Sequence, residues 1–268
     1  MFIYLQYTED CRADMYPPKG PTFRGSVSWY TVDLDSPPSK RWTALITDKK
    51  TALVNVIQAI RDLANAFVPS GKLIELVDVT LPLMVDSLPD PFGEEIRGIA
   101  AVSEIPLGIL EWILGKRDGM WMSFLTRSVL ENANSYEEAK TLLAQTKLLA
   151  PAYFILGGNQ TGQGCIVTRS RLLSIDILEI DLKMGRWYVL ETNYDHWKEP
   201  LFLDDRRTPA MTCMNRTTQT NISLKTMYDV LSTKPVLNKL TTYTTLMQVS
   251  EGKLESYIRD CPNPCMPW

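Results

Sequence analysis

Residues 152–168 read AYFILGGNQTGQGCIVT, and this stretch predicts a β-hairpin. Apolar runs at Ala152–Leu156 and Cys165–Thr168 flank a glycine-rich segment, which is typical of two strands joined by a turn. Phosphate-binding loops are also rich in glycine, but the segment lacks the lysine and the following helix that they need. The stretch therefore indicates that the C-terminal half of the chain is built on strands.

Four more short apolar runs in this half predict further strands. They lie at Ile175–Leu182, Trp187–Thr192, Thr241–Val249 and Leu254–Ile258. A helical pattern from Ser223 to Leu231 interrupts them. Before the hairpin, Ser135 and Glu138 have the spacing of a capping box that opens another helix.

The N-terminal part has a helical pattern instead. After a proline-rich leader at residues 8–45, which predicts extended chain with one or two edge strands, apolar residues recur three and four apart up to Phe67. A second helix is predicted up to Pro82 and a third over Phe92–Ser103. Helices followed by strands, a helix and more strands favour an α+β sandwich of stacked layers over a doubly wound parallel sheet.

Composition and charge exclude several classes of function. The 268 residues carry a net charge of −3 with both signs interleaved, so no basic stripe for nucleic acid is present. A zinc site is not expected, because the chain has one histidine, His196, far from the pair Cys261 and Cys265. Two prolines between these cysteines favour a local disulfide. A Ser-His-Asp hydrolase is not expected either, since no Gly-x-Ser-x-Gly elbow is present.

Signals of the compartment conflict. Three glycosylation sequons, at Asn159, Asn215 and Asn221, and the cysteine pattern suggest a lumenal history. Residues 1–7 lack the basic lead, the apolar length and the cleavage site of a secretory signal, which predicts a cytosolic chain. The best apolar run, Ile96 to Gly115, is interrupted by charges and proline before it reaches the length of a membrane span.

The tract Glu191–Arg207, ETNYDHWKEPLFLDDRR, is the candidate functional site. One interpretation is a solvated loop whose aspartates pair with its arginines at the surface. The other is a site in which Asn193 donates an N–H to a developing oxyanion. Arg206 would then orient Asn193 or a substrate group, while Asp204 and Asp205 fix the arginine.

Motifs along nearly the whole chain resemble the acid ceramidase family of N-terminal-nucleophile amidohydrolases, which is related to N-acylethanolamine acid amidase. They include Thr8–Arg12, Tyr16–Pro18, Arg41–Trp42, Phe67–Gly71, Gly98–Ala101, Ala150–Gln160, Asn193–Asp195, Asp204–Pro209, Pro235–Asn238 and Asp260–Cys265. The resemblance implies a layered αββα sandwich. It also implies an α-subunit-like part at residues 1–108, with its proline-rich leader and helical lobe, and the remainder of the β-subunit at 109–268.

By this resemblance, the activity is cleavage of the ceramide amide bond to sphingosine and fatty acid in the lysosome, without a cofactor. Asn193 matches the oxyanion and substrate-positioning asparagine of the family, and Arg206 matches an arginine of the same site. Cys11 matches the partner of Cys213 in a disulfide, and Cys261 matches the partner of Cys265. Expected partners are ceramide or a related N-acyl lipid, with peripheral contact to a membrane or a lipid-carrier protein.

The chain departs from the family at the nucleophile, a cysteine followed by threonine. None of the five cysteines is followed by Thr or Ser, and two family stretches meet directly at Glu104–Trp112. Cys165, inside a predicted strand, is expected to be a structural thiol rather than a substitute. Two hypotheses follow. The first is an enzyme by descent, in which the segment Ile109–Leu125 is either a membrane-facing element or a core helix. The second is a shortened, non-catalytic homologue that binds lipid weakly or is unstable.

Overall fold

The computed structural model describes residues 8–67, 88–107 and 119–267, and these residues form an α+β fold with six helices and six strands. They divide into two compact units. One contains the chain up to Ser28 and from Leu125 onward, and the other comprises Trp29–Phe124. The predicted boundary between residues 108 and 109 falls at a segment outside the described residues, and it stays a prediction.

The Trp29–Phe124 unit is helical. Helix α1 spans Thr43–Phe67 and α2 spans Phe92–Ser103, and Ile57 and Ile105 form a small apolar core. The helix predicted to end near Phe67 is confirmed, although it begins before Lys49, and the helix predicted over Phe92–Ser103 is confirmed with both bounds. The helix predicted up to Pro82 lies outside the described residues.

A buried glutamate joins the start of this unit to α2. Glu95 is only 4% exposed, and its carboxylate accepts from Nη1 of Arg41 at 3.0 Å and from Nε1 of Trp42 at 2.8 Å. Gly98, one turn further along α2, has no room for a side chain, because a Cβ atom would lie 1.9 Å from the carbonyl oxygen of Ser39. The Arg41–Trp42 and Gly98 motifs therefore have a packing role.

The predicted hairpin is confirmed. Strands β2 (Ala152–Gly157) and β3 (Gly164–Arg169) pair antiparallel, with Gly157 opposite Gly164, and β4 (Ser174–Glu179) pairs with the other edge of β3. All six residues of the central strand β3 are buried. This agrees with the continuous apolar run from which the strand was predicted.

A second three-stranded sheet has the order β1-β6-β5, with β1 at Phe23–Ser26, β5 at Tyr243–Gln248 and β6 at Lys253–Arg259. All neighbouring strands are antiparallel. The two predicted C-terminal strands are confirmed, and the proline-rich leader supplies one edge strand, as expected. The sheet therefore brings the beginning and the end of the chain together.

Four more helices are present in the described residues. They are α3 (Met122–Asn132), α4 (Tyr136–Gln145), α5 (Arg207–Thr217) and α6 (Leu224–Ser232). The side chain of Ser135 caps α4 by accepting from the N–H of Glu138, but the carboxylate of Glu138 accepts from the N–H of Asn134 at 2.8 Å. The capping box predicted there is thus half formed. None of the described helices is long and apolar enough to cross a membrane.

The strand predicted at Trp187–Thr192 is wrong. This segment has no ladder partner among the described residues. Trp187, Tyr188 and Leu190 instead pack against an apolar cluster on α5 and α6, formed by Ala210, Cys213, Met214 and Val230. A short continuous apolar run such as Trp187–Leu190 also suits an irregular segment that packs on helices, so the pattern alone does not distinguish the two.

Strand β4 ends earlier than predicted, and α5 was not predicted. Asp181 stops β4 before Leu182, because its side chain accepts from the N–H groups of Lys183 and Met184 and caps a short 3-10 turn. Helix α5 has the sequence RTPAMTCMNRT, in which threonines and a proline give little helical signal. Helix α5 is stabilised instead by the apolar cluster that it shares with α6.

Candidate functional site

Arg207, the first residue of α5, holds the loop that carries the candidate site. Its Nη1 atom donates to the carbonyl oxygen of Lys198 at 2.7 Å, and its Nη2 atom donates to that of Asp195 at 3.1 Å. A further bond joins Nη2 to the carbonyl oxygen of Tyr194. A guanidinium that binds several successive carbonyls fixes the shape of the loop, so the beginning of α5 positions residues 194–198.

Asp204 is the centre of a polar cluster within this loop. Its Oδ1 atom accepts from Nε of Arg206 at 2.8 Å, and its Oδ2 atom accepts from the hydroxyl of Tyr194 at 3.0 Å. Burial raises the pKa of Asp204, but the hydrogen bonds from Arg206 and Tyr194 outweigh it, and the pKa lies below its ordinary value. Asp204 therefore stays a carboxylate that anchors its neighbours.

Asn193 and Arg206, the two predicted site residues, are in direct contact. Nη2 of Arg206 donates to Oδ1 of Asn193, while Nδ2 of Asn193 lies 3.4 Å from Oδ2 of Asp204. The carbonyl end of the Asn193 amide is thus held by Arg206. The NH₂ end makes only a long contact and is the end that can donate to a ligand.

These residues line one side of a cavity of about 630 Å³. The other side comes from the segment before β5 and from its first residue, and it includes Asn238, Leu240, Thr241, Thr242 and Tyr243. Asn238 is buried, and its Oδ1 atom accepts from the N–H of Leu240 at 2.9 Å, which holds the turn. The cavity therefore combines amide and guanidinium donors with apolar side chains.

Other residues of the tract make contacts outside the cluster. Asp205 accepts from the N–H of Thr208 at 2.9 Å, at the beginning of α5, and its expected role in fixing Arg206 stays a prediction. Asp195 accepts from the hydroxyl of Tyr153 at 2.7 Å and pairs with Lys198. His196 lies 2.9 Å from Asp176 on β4. These contacts position the loop against the first sheet.

Sequence analysis missed the second side of the cavity. Asn238 and Tyr243 lie more than 30 residues beyond the tract, and neither has a charge or an unusual spacing that marks it. The family-like motif Pro235–Asn238 is the one signal in the sequence near these residues, and the resemblance gave it no function. Tyr194, which binds Asp204, was in the tract without an assigned partner.

The cysteines are paired as the resemblance implies. Cys11 and Cys213 form one disulfide and Cys261 and Cys265 form the other. Cys165 is a free thiol, fully buried in β3. Burial raises its pKa above the ordinary value, so the thiol stays protonated and is a poor nucleophile.

The sequon asparagines Asn159, Asn215 and Asn221 are all exposed. Oδ1 of Asn215 accepts from the hydroxyl of Tyr188 at 3.0 Å. The described residues contain no group of three or more His, Cys, Asp or Glu side chains that could hold a metal ion.

Two family models match the chain. One, described as linear amide C–N hydrolases of the choloylglycine hydrolase family, matches residues 97–260, which is more than half of the chain. The other, described as the beta subunit of N-acylethanolamine-hydrolyzing acid amidase, matches residues 25–88. A solved structure of the Caenorhabditis elegans N-acylethanolamine-hydrolyzing acid amidase ortholog is 31% identical, with a TM-score of 0.46, over 56% of this chain and 65% of that chain.

The alignments with curated relatives span nearly all of this chain and of each relative. The acid ceramidases of Pan troglodytes and Homo sapiens are each 45% identical to this chain, over 98% of it and 93% of the relative. That of Mus musculus is 43% identical, over 98% of this chain and 94% of the relative. The alignments extend over 369 residues whereas the chain has 268, so the relatives contain sequence without a counterpart here. The chain therefore belongs to the acid ceramidase family, among the linear amide C–N hydrolases.

Proposed function

We propose that the cavity beside Asn193 and Arg206 binds the amide group of ceramide, and that this chain is a catalytically impaired member of its family. The observation that carries the proposal is the contact between Arg206 and Asn193, anchored by Asp204. Arg206 holds the carbonyl end of the Asn193 amide, and this leaves the NH₂ end for the oxygen of a substrate amide.

The chemistry that the family resemblance implies is attack of a cysteine thiolate on this amide, which forms an acyl-thioester and releases sphingosine. The negative charge develops on the carbonyl oxygen, and a donor such as Asn193 lowers the barrier by about 3 kcal/mol in a site of this kind. Water then releases the fatty acid. Asn193 and Arg206 would perform the recognition part of this reaction in the present chain.

None of the five cysteines is a good candidate for the nucleophilic part of the reaction. Four of the five cysteines are in disulfides, and the fifth, Cys165, is buried with a raised pKa. No cysteine is followed by Thr or Ser, and the longer relatives contain sequence that this chain lacks. These observations support binding without turnover.

A lumenal, lysosomal compartment and peripheral contact with lipid are part of the proposal. The two disulfides support an oxidising compartment, and the exposed asparagines at 159, 215 and 221 support glycosylation. Around the cavity, the apolar side chains of Leu201, Phe202 and Leu240 are 66–70% exposed. Such a rim supports contact with a membrane or a lipid carrier. The segment Ile109–Leu125, which sequence suggested for this role, lies largely outside the described residues.

The test measures binding and turnover separately. Purified chain is mixed with a fluorescent N-acylsphingosine at acidic pH, and fatty acid release is followed with a full-length acid ceramidase as positive control. We expect saturable binding without release. Arg206→Ala should weaken binding, and Arg171→Ala, which changes an exposed arginine after β3, is the matched control.

Three outcomes would contradict the proposal. Absence of binding by well-folded protein would remove the binding function. Equal loss of binding in both arginine variants would show that the charge, not the site, attracts the lipid. Turnover that disappears in Cys165→Ala would show that this thiol has taken over the chemistry.

A further inference from the structure

Glu191 lies two residues before Asn193 and hydrogen-bonds to the backbone around it. Its Oε1 atom accepts from the N–H of Thr192 at 2.9 Å, and a backbone hydrogen bond from Tyr194 acts on the same carboxyl. The two N–H groups belong to the residues on either side of Asn193. One carboxyl group therefore restrains the backbone that carries the Asn193 amide.

The other carboxylate oxygen of Glu191 is one of three buried polar atoms in this tract that lack a hydrogen bond to any described residue. Within the described parts of the chain, Oε2 of Glu191 is buried without a hydrogen-bond partner, and so are Oγ1 of Thr192 and Nε of Arg207. A buried polar atom without a partner is costly and usually marks a role that the resting arrangement does not show. Here all three atoms belong to the tract that builds the cavity wall.

The charged groups that act on Glu191 come from three elements. Burial has the largest effect and raises the pKa of the Glu191 carboxyl, and the charge of Asp195 in the loop raises it further. The N–H of Thr192 and the charge of Arg207 on α5 lower the pKa, but the net shift is upward. Tyr153 on β2 also lies within electrostatic reach. The carboxyl thus takes up a proton at a less acidic pH than an exposed glutamate does.

We infer that Glu191 is a positioning residue that sets the orientation of Asn193 according to its own protonation state. As a carboxylate it attracts Arg207 and accepts from both flanking N–H groups. As a neutral acid it loses the attraction to Arg207, the same guanidinium that holds the carbonyls of Tyr194 and Asp195. Protonation therefore shifts the backbone on both sides of the asparagine. The inference has a structural part, the effect of protonation on the backbone around Asn193, and a ligand part, its effect on ligand binding. Only the ligand part rests on the proposed function.

The structural part is tested by NMR on the full chain without ligand. The backbone amides of Thr192 and Tyr194 and the side-chain amide of Asn193 are followed from about pH 4 to about pH 7.5. In the wild type, the three signals should shift together, with one midpoint above the ordinary value of 4.5 for a glutamate. In Glu191→Gln, which keeps the shape without the charge, this shift should be lost.

Asp195→Asn is the matched control, because it removes the other nearby carboxylate. The common shift should persist there with a lower midpoint, because the carboxylate of Asp195 raises the pKa of Glu191. Persistence of the shift in Glu191→Gln, or its loss in Asp195→Asn, would overturn the inference. If Glu191→Gln does not fold, Glu191→Asp replaces it; there, the Thr192 and Tyr194 signals should separate, because the shorter side chain cannot reach both N–H groups.

The test of the ligand part compares the binding of fluorescent N-acylsphingosine by wild type and Glu191→Gln over the same pH range. Because glutamine imitates the protonated state, the two proteins should bind equally below the midpoint and differ above it. Equal binding throughout, with the NMR shift present, would overturn the link between Glu191 and ligand. No binding by either protein, with the NMR shift present, would refute the proposed function and leave the positioning role standing.

Discussion

Arg206 and Asp204 form a two-point contact: Nε of the arginine lies 2.8 Å from Oδ1 of the aspartate, and Nη2 lies 3.3 Å from Oδ2. The same Nη2 atom also donates to Asn193. The aspartate therefore fixes the plane of the guanidinium, and the guanidinium fixes the amide. Because the two residues are only two positions apart along the chain, the arrangement depends on the 3-10 turn Phe202–Asp204 that precedes Arg206.

Asp204→Asn should impair ligand binding. The substitution keeps the size of the side chain but removes the charge to which Arg206 and Tyr194 donate. Charge-assisted hydrogen bonds are worth about 1.5–3 kcal/mol, so we expect binding of labelled N-acylsphingosine to weaken roughly tenfold or more. Asp181→Asn is the control, since Asp181 caps the 3-10 turn after β4 by accepting from the N–H groups of Lys183 and Met184. A similar loss in both variants would contradict a special role of Asp204.

Arg207→Ala should lower the stability of the protein. The guanidinium donates to the carbonyls of residues 194, 195 and 198, and its loss removes these hydrogen bonds, although the carbonyl of Asp195 keeps the N–H of Lys198 as a donor. We expect the free energy of unfolding to fall by about 2 kcal/mol in a urea titration. Arg207→Lys should restore little, because a single ammonium does not span the carbonyls. Arg171→Ala should stay within about 0.5 kcal/mol of wild type, and a larger change there would weaken the argument.

The two disulfides should differ in their contribution to stability. Cys11 and Cys213 are 202 residues apart in sequence, whereas Cys261 and Cys265 are four apart. In the loop-entropy description, the longer loop contributes about 5 kcal/mol and the shorter about 2 kcal/mol. Denaturation of the double serine variant of each pair measures the difference. Equal losses would show that local contacts of the tail loop, rather than chain entropy, determine its contribution.

Much of the fold could be predicted because the local signals were unambiguous. The hairpin around Gly157 and Gly164 has glycine turns and continuous apolar runs, and α2 has sharp ends at Phe92 and Ser103. The segment Trp187–Thr192 was wrongly predicted as a strand, because its apolar run contacts α5 and α6 instead of pairing in a sheet. Tertiary contact decided the conformation there, and sequence alone does not report it.

The candidate site was predicted in part for a similar reason. Asn193, Asp204 and Arg206 are close in sequence, and a dense polar tract marks them. Asn238 and Tyr243 reach the same cavity from the segment leading into β5, and Glu191 acts through backbone N–H groups. Neither relationship leaves a spacing pattern in the sequence, so only the folded chain reveals it.

Glu191 should make stability depend on pH in a direction opposite to that of Asp195. Burial raises the pKa of Glu191, so its charge costs stability above the pKa of the unfolded chain, and Glu191→Gln should gain over wild type as pH rises from about 4 to neutral. Hydrogen bonds from Lys198 and Tyr153 lower the pKa of Asp195. Its charge stabilises the fold above the unfolded pKa, so Asp195→Asn should be less stable than wild type from about pH 4 upward, and the difference should shrink as pH falls below about 4. Thermal unfolding of the three proteins at several pH values measures both trends, and parallel curves for the two variants would show that Glu191 is not a buried, proton-binding group.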